Sequence, residues 1–364
     1  MKRRSFLKTA GIATAAATAG VATTAQADDK KVYKWKMVTT WPKNFPGLGT
    51  GANFLAKKIT EMTNGQIQVK VYGAGELVPA MESFDAVSSG TAQIGHGAAY
   101  YWKGKSEAAQ FFSTVPFGLT PDEMNSWLYY GGGMEIWREI YAKFNLIPAA
   151  AGNTGTQMAG WFNKEINSVE DLKGLKMRIP GLGGEVLKRL GGTPVTLPGG
   201  EIFTSLQSGA IDATEWVGPY NDLAFGFYKA AKYYYYPGWH EPGTTLETFI
   251  NKDAMSELPE HLQKLVIDAA RIANQDMFAE YNARNGDALD TLVTKHKVQL
   301  KKLPDGVLQE LRKVSDEVVA EVAKKDPLSQ KAYDSYIKFR DKSAKYAEIS
   351  ERAYLNARAV TAPK

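Results

Sequence analysis

Three charged side chains stand out by where they fall in the chain. Arg178 lies in Lys176-Met177-Arg178-Ile179-Pro180-Gly181, a run that predicts a strand stopped by Pro180-Gly181. A guanidinium offers a planar fork of donors that fits a carboxylate through two parallel hydrogen bonds. An arginine at a strand's end, beside a Gly-rich turn that opens a helix, is placed to hold an anion; the plainer role is an ordinary ion pair. Glu215 stands between Thr214 and Trp216 at the end of a second expected strand, and Glu241 between His240 and Pro242 in a loop. Two carboxylates can do acid–base work, or hold a hard cation together with carbonyl oxygens. Most glutamates do neither and are simply solvated or salt-bridged.

Other chemistries find little support. The chain has no cysteine, which removes thiol catalysis, iron–sulfur clusters and disulfides. His96, His240, His261 and His296 show no zinc-binding spacing, and no Ser-His-Asp order suggests a hydrolase. Pro180-Gly181-Leu182-Gly183-Gly184-Glu185 has Val186 where a dinucleotide loop needs its third glycine, so it reads as a turn and helix cap. Trp41, Tyr100, Tyr101, Trp102, Trp161, Trp216 and Trp239 fall at or near expected strand ends, where rings either fill a core or cradle a small ligand.

The elements that must carry these residues alternate between strand and helix. Tyr33 to Thr40, Gln66 to Val71 and Gln93 to Ala98 read as strands, with helices over Ala52 to Thr63 and Met81 to Ser88. One longer helix is expected from Pro121 to Phe144. The pattern restarts with strands at Lys176 to Ile179, Pro194 to Leu197 and Asp212 to Val217, and helices at Glu185 to Leu190 and Ile202 to Gln207. Tyr233 to Tyr236 reads as a strand near a sheet edge with alternate rings buried. Beyond Pro259 the composition turns helical: to about Lys295, then from Pro304, then from Leu328 to Arg358. This is the grammar of an α/β protein with helices on the faces of its sheets.

Two segments agree at a constant offset of 119: Pro79 with Pro198, Glu82 with Glu201, Phe84 with Phe203, and Ser89-Gly90 with Ser208-Gly209. That suggests two similar lobes facing a cleft. Each segment leads into an aromatic and polar cluster, residues 96–102 and 215–220, and ligands in open α/β sheets sit just past the carboxyl ends of strands.

The N-terminus carries Arg3-Arg4-Ser5-Phe6-Leu7-Lys8, a weakly apolar Ala/Gly/Thr stretch and the small-x-small site Ala25-Gln26-Ala27. We read residues 1–27 as a cleaved twin-arginine signal, which places the mature protein in the periplasm. Losing four basic and no acidic residues lowers the net charge from +5 to +1, so nothing argues for nucleic acid as a partner.

The order of Asn153-Thr154-Gly155-Thr156-Gln157, Met177-Arg178-Ile179-Pro180-Gly181, Leu206-Gln207-Ser208-Gly209-Ala210-Ile211-Asp212-Ala213 and Glu215-Trp216-Val217-Gly218-Pro219 resembles the solute-binding proteins of TRAP transporters, the DctP family. Tyr235-Tyr236-Pro237-Gly238-Trp239-His240-Glu241-Pro242 resembles the branch that binds 2-oxo or 2-hydroxy monocarboxylates such as pyruvate and lactate. The resemblance implies a two-lobed periplasmic-binding-protein fold that delivers its ligand to membrane subunits and is not an enzyme. It implies a first lobe over residues 28–152, completed by about 242–258, and a second over 153–241, completed by C-terminal helices. Residues 259–327 would be connecting helices, and 328–364 a C-terminal helix that forms a homodimer. It casts Arg178 as the partner of the ligand carboxylate. Gln157, Glu215, the Trp216 carbonyl and Glu241 would hold a metal ion that bridges to the ligand, with Asn153 and Tyr100 as further cleft residues.

A charge count supports the cation. Arg178 and a ligand carboxylate cancel, leaving Glu215 and Glu241 at −2 in a closing cleft, a costly arrangement without a metal. A divalent ion brings the sum to zero and a monovalent ion to −1, so Ca²⁺ fits slightly better than Na⁺. Two other readings stand beside this one: a lyase or isomerase acting on a 2-oxo acid through Glu215 or Glu241, and a sugar receptor using the aromatic cleft. The latter has no role for Arg178.

Overall fold

The computed structural model describes residues 31–361; the leader expected at residues 1–27 lies outside them. Eleven strands are described: β1 (Tyr33–Thr39), β2 (Ile67–Tyr72), β3 (Ile94–Gly97), β4 (Leu146–Asn153), β5 (Gly160–Phe162), β6 (Lys176–Arg178), β7 (Thr193–Val195), β8 (Ala213–Thr214), β9 (Tyr233–Tyr236), β10 (Thr245–Asn251) and β11 (Gln299–Lys302). They form two mixed sheets, ordered β2-β1-β3-β10-β4 and β11-β9-β5-β8-β6-β7. In the first, β1 lies parallel between β2 and β3, and in the second β6 lies parallel between β7 and β8. The two parallel triplets thus share one topology, and the residues matched at offset 119 occupy the helix before the third strand of each. Ser89-Gly90 and Ser208-Gly209 close those helices, with both glycines at positive φ. This is the two-lobed periplasmic-binding-protein fold, a sheet flanked by helices in each lobe.

The chain crosses between the sheets at residues 154–159 and 237–244. The helix Glu260–Asp290 then links them a third time. Its first half, with Val266, Ala269, Ala270 and Ala273, packs on the first sheet. Met277 and Tyr281 on its second half join the aromatic cluster between the sheets, with Trp41, Tyr100 and Trp216.

Several elements differ from expectation for physical reasons. The helix expected over Pro121 to Phe144 is two, Pro121–Tyr130 and Gly133–Ala142, because Gly132 takes φ 87° in the left-handed region. The sequence pattern predicts no strand at β4, β5, β10 or β11, all of which form. The helix before β7 begins at Gly181, not Glu185, and β8 is only two residues long. In the tyrosine strand, burial does not alternate: Tyr234 and Tyr235 are both buried, because β9 is covered on both faces. The last helical stretch breaks at Ser350 into Pro327–Ile349 and Glu351–Thr361. Among the described residues, no helix is long and apolar enough to cross a membrane.

Glu247 on β10 is buried in the first lobe, where it accepts hydrogen bonds from Trp102 Nε1 at 2.5 Å and Tyr141 Oη at 2.7 Å. Burial pushes its carboxyl up to about 8. The folded chain therefore keeps a proton that the unfolded chain loses at ordinary carboxylate pH. Stability from this site is full in acid and falls as pH rises toward 8. Glu247→Gln should flatten the decline in thermal midpoint between about pH 5 and pH 8. Calorimetry giving the parent's pH slope in the variant would refute this.

Candidate functional site

The strand ends bring the site residues together. Arg178 ends β6 and pairs with Thr214 of the adjacent parallel β8, so Glu215, the next residue, emerges beside it at the same sheet edge. β5 and β9 run antiparallel to β8 and each other, respectively, which brings the start of β5, after Gln157, and the end of β9, before Glu241, into the same region. From the first sheet, β1 and β3 end toward Trp41 and Tyr100, β4 ends at Asn153, and β10 begins at Thr245 opposite Asn153.

Arg178 and Glu215 form an ion pair with both side chains fully buried. The same guanidinium donates from Nε to the Leu197 carbonyl at 3.2 Å and from Nη2 to Tyr101 Oη at 3.2 Å, and lies over the Trp216 ring at 5.0 Å. Burial alone would lower the Arg178 pKa, but Glu215 beside it holds it above the usual arginine value. Burial pushes Glu215 up to about 7 even against the pull of Arg178. Glu241 is raised to about 8, first by burial and then by repulsion from Glu215. Its Oε2 accepts a 2.5 Å bond from Thr244 Oγ1.

His240, to which the sequence assigns no role, stands with its Nε2 at 3.4 Å from Glu215 Oε2. Burial lowers its imidazole to about 4, so it is neutral at physiological pH. Glu215, His240 and Glu241 each place one ligand atom within 4.8 Å of the others. The only available signal was that His240 adjoins Glu241. Tyr101 and Thr154 also belong to the site; both fell in segments singled out by the sequence, but without an assigned role.

Gln157 donates from Nε2 to Thr154 Oγ1 at 3.0 Å, while its Oε1 is buried and finds no hydrogen-bond partner among the described residues. An orphaned amide oxygen on a segment bonded to the backbone of Glu241 fits a hard cation, which takes oxygen ligands of mixed charge. Gln157 is fixed by its own backbone: its N–H donates to the Glu241 carbonyl at 3.2 Å and its carbonyl accepts from Gly238 N at 3.1 Å. Gly238 must be glycine here, since a Cβ would lie 2.2 Å from the Gln157 carbonyl oxygen.

Tyr100 and Trp216 are buried and line a small cavity with Trp41, Tyr101, Thr154 and Gln157. Gly181 brings the second lobe against Tyr100, where a Cβ would meet the Tyr100 Cβ at 3.1 Å, and its φ of +59° lies in the left-handed region. Asn153 is engaged differently. Its Oδ1 accepts from Gly155 N at 2.9 Å and its Nδ2 donates to the Gly243 carbonyl at 3.4 Å, so it ties the two crossing segments together.

Residues 37–326 match DctP, the bacterial extracellular solute-binding proteins of family 7. The monocarboxylate 2-oxoacid-binding periplasmic protein of Nostoc sp. is 45% identical over 362 residues, covering 98% of each chain. A TRAP periplasmic solute-binding protein from Pseudoalteromonas atlantica, solved with bound sodium and pyruvate, superposes with a TM-score of 0.87 at 43% identity, covering 90% of this chain and 99% of that one. A second, from Colwellia psychrerythraea with bound calcium and pyruvate, gives a TM-score of 0.87 at 44% identity, covering 90% and 100%.

Proposed function

The chain belongs to the bacterial extracellular solute-binding proteins of family 7, and from that membership we propose how it works. It is the extracytoplasmic receptor of a TRAP transporter. Its ligand is a small 2-oxo or 2-hydroxy monocarboxylate of the pyruvate or lactate type. The observation that carries this reading is the buried set of Arg178, Glu215, Glu241 and the unpartnered Gln157 Oε1 between two sheets. Arg178 takes the ligand carboxylate with its fork. Glu215, Glu241, Gln157 Oε1 and the Trp216 carbonyl hold a Ca²⁺ or Na⁺ ion, consistent with the calcium and the sodium bound beside pyruvate in two relatives. Such an ion selects for a ligand offering both a carboxylate oxygen and a C2 oxygen, which a plain fatty acid cannot do. Tyr100 closes the cavity from the first lobe, and Asn153 sets the crossing segments between the lobes.

The family is one of solute-binding receptors, so the lyase and isomerase readings fall away, and a sugar receptor would leave Arg178 without a role. Native mass spectrometry of freshly purified protein tests the proposal. Retained small carboxylate and cation should leave together on unfolding; a neutral retained ligand, or turnover of added pyruvate followed by NMR, would defeat it. We assign the twin-arginine leader, residues 1–27, to export into the periplasm, and the membrane subunits of the transporter as the receiving partner.

A homodimer is part of the same proposal. The helix Pro327–Ile349 packs on its own first lobe through Tyr336, whose Oη accepts from Leu119 N at 2.7 Å, and as far as Ser343, which bonds Glu123. Beyond it, Tyr346, Ile349, Tyr354 and Val360 are 64–85% exposed. Apolar side chains so displayed on a helix that has left its lobe call for a second surface. Light scattering should give a dimer for the mature chain and a monomer for a chain ending at Ser343. Ending it at Asp326 instead would uncover Leu119 and Trp127 and confuse assembly with folding. A full-length monomer, or a shortened chain that remains dimeric, overturns the assignment.

A further inference from the structure

Asp222 is buried in the first turn of the helix Pro219–Phe225, just behind the segment that carries Glu215 and Trp216. Its Oδ2 accepts hydrogen bonds from Trp161 Nε1 at 3.0 Å and from Tyr234 Oη at 2.7 Å. Its Oδ1 accepts from the backbone N–H of Val217 at 3.4 Å. Trp161 belongs to β5 and Tyr234 to β9, and their rings stack at 4.1 Å. One carboxylate therefore fastens two strands of the second sheet to the turn that follows β8. The same turn is held from other sides by Met158 N to the Val217 carbonyl at 3.0 Å and by Glu215 N to the Arg178 carbonyl at 3.1 Å.

We infer that Asp222 is a positioning residue that fixes the Glu215 carboxylate and the Trp216 carbonyl in place for the cation, touching neither cation nor ligand. The inference rests on the cation-site reading above. Its chemical basis is that all three groups meeting Asp222 are donors. A carboxylate, with acceptors on both oxygens, satisfies all of them. An amide must turn its NH₂ toward one side. The Val217 contact is the longest of the three, so an asparagine would keep its oxygen on Trp161 and Tyr234 and set its NH₂ against the Val217 N–H. The strands would stay fastened to each other, and the cation-carrying turn would be released. A group needed only to fill the core would not distinguish the two oxygens in this way.

The test is a calcium titration of the full chain with pyruvate present, read by the heat of ligand binding, alongside the thermal midpoint. Asp222→Asn should raise the calcium concentration for half-maximal binding about tenfold, the scale on which outer-shell partners tune metal sites, with binding restored at saturating calcium. Tyr234→Phe removes a donor from the other oxygen only, and should lower the thermal midpoint while leaving the calcium midpoint within about twofold. A lowered thermal midpoint in Asp222→Asn with an unmoved calcium midpoint overturns the inference, as does an equal calcium shift in Tyr234→Phe. If the amide variant does not fold, Asp222→Glu, which keeps both acceptors but moves them by one methylene, is titrated instead and must shift the calcium midpoint. A parent protein that binds pyruvate without regard to calcium removes the cation site and this inference with it. Calcium dependence in the parent with unshifted Asp222 variants removes this inference alone.

Discussion

Replacing Arg178 by alanine should abolish measurable binding of pyruvate and lactate while the protein remains folded. Charge-assisted hydrogen bonds to an ionised group are each worth about 1.5–3 kcal/mol, so losing a two-bond fork costs roughly 3–6 kcal/mol, or about 10²- to 10⁴-fold in affinity. The variant also removes the positive charge that faces Glu215, and a carboxylate left buried without a partner is costly. Glu215 escapes much of that cost by holding a proton, since burial already pushes it up to about 7 with Arg178 present. The fold should therefore survive with a lowered thermal midpoint. Arg178→Lys separates the two parts of the argument. A lysine restores charge but not the planar fork, and its ammonium would have to replace the contacts Arg178 makes to Leu197 and Tyr101. It should recover only a small part of the lost affinity. Calorimetry at fixed calcium that finds Arg178→Ala within a few-fold of the parent would end the assignment of Arg178 to the ligand carboxylate.

What could be read from the chain, and what could not, follows from how each residue acquires its neighbours. Arg178 and Glu215 were legible because each sits at the end of a period-two run, and parallel pairing of β6 with β8 makes such ends adjacent. Gln157 and Glu241 lie on crossing segments with no periodicity: Glu241 stands out as an acid in a loop with no spacing to tie it to Glu215, and Gln157 enters only through resemblance to a family. β4 was invisible because Leu146-Ile147-Pro148-Ala149-Ala150-Ala151-Gly152-Asn153 has low strand propensity and contains a proline. It is tolerated because β4 lies at the end of its sheet, with Ala149 and Ala151 packed among Val266, Ala269 and Ala273 of the long helix. The break at Gly132 was written in Gly131-Gly132-Gly133, but an apolar pattern on both sides outweighed it. His240 and Asp222 are the instructive omissions. One meets Glu215 from 25 residues away and the other fastens a turn to Trp161, 61 residues away, and no spacing rule reaches that far.

The second large effect concerns Glu241 and the cation. With ligand bound and no metal, Arg178, Glu215, Glu241 and a ligand carboxylate would sum to −2 in a dry site if all were ionised; burial and Glu215 hold Glu241 at about 8, so the full charge develops above that pH and below it the site keeps a proton instead. Repulsion between unit charges about 4 Å apart is of order 4 kcal/mol at an effective dielectric constant near 20. A divalent ion removes this repulsion and adds bonds to both ligand and protein. Chelation of the parent should therefore weaken pyruvate binding by at least about 100-fold, a coupling near 3 kcal/mol, and by linkage pyruvate must tighten calcium by the same factor. Glu241→Gln changes both ends of this cycle in opposite directions. It removes one cation ligand, so binding with calcium present becomes weaker than in the parent. Above about pH 8, where Glu241 is ionised without metal, it also lowers the metal-free charge from −2 to −1, so after chelation at that pH the variant should bind pyruvate more tightly than the chelated parent. Above about pH 8 the two titration series must cross, and the coupling in the variant should shrink to a small fraction of the parent's. A carboxylate that merely shaped the pocket would weaken binding in both conditions by one factor and leave the coupling intact. Calorimetry of parent and variant, each with calcium and after exhaustive chelation, decides between these outcomes: parallel losses exclude Glu241 as a cation ligand, and a parent indifferent to chelation excludes the bridging cation altogether.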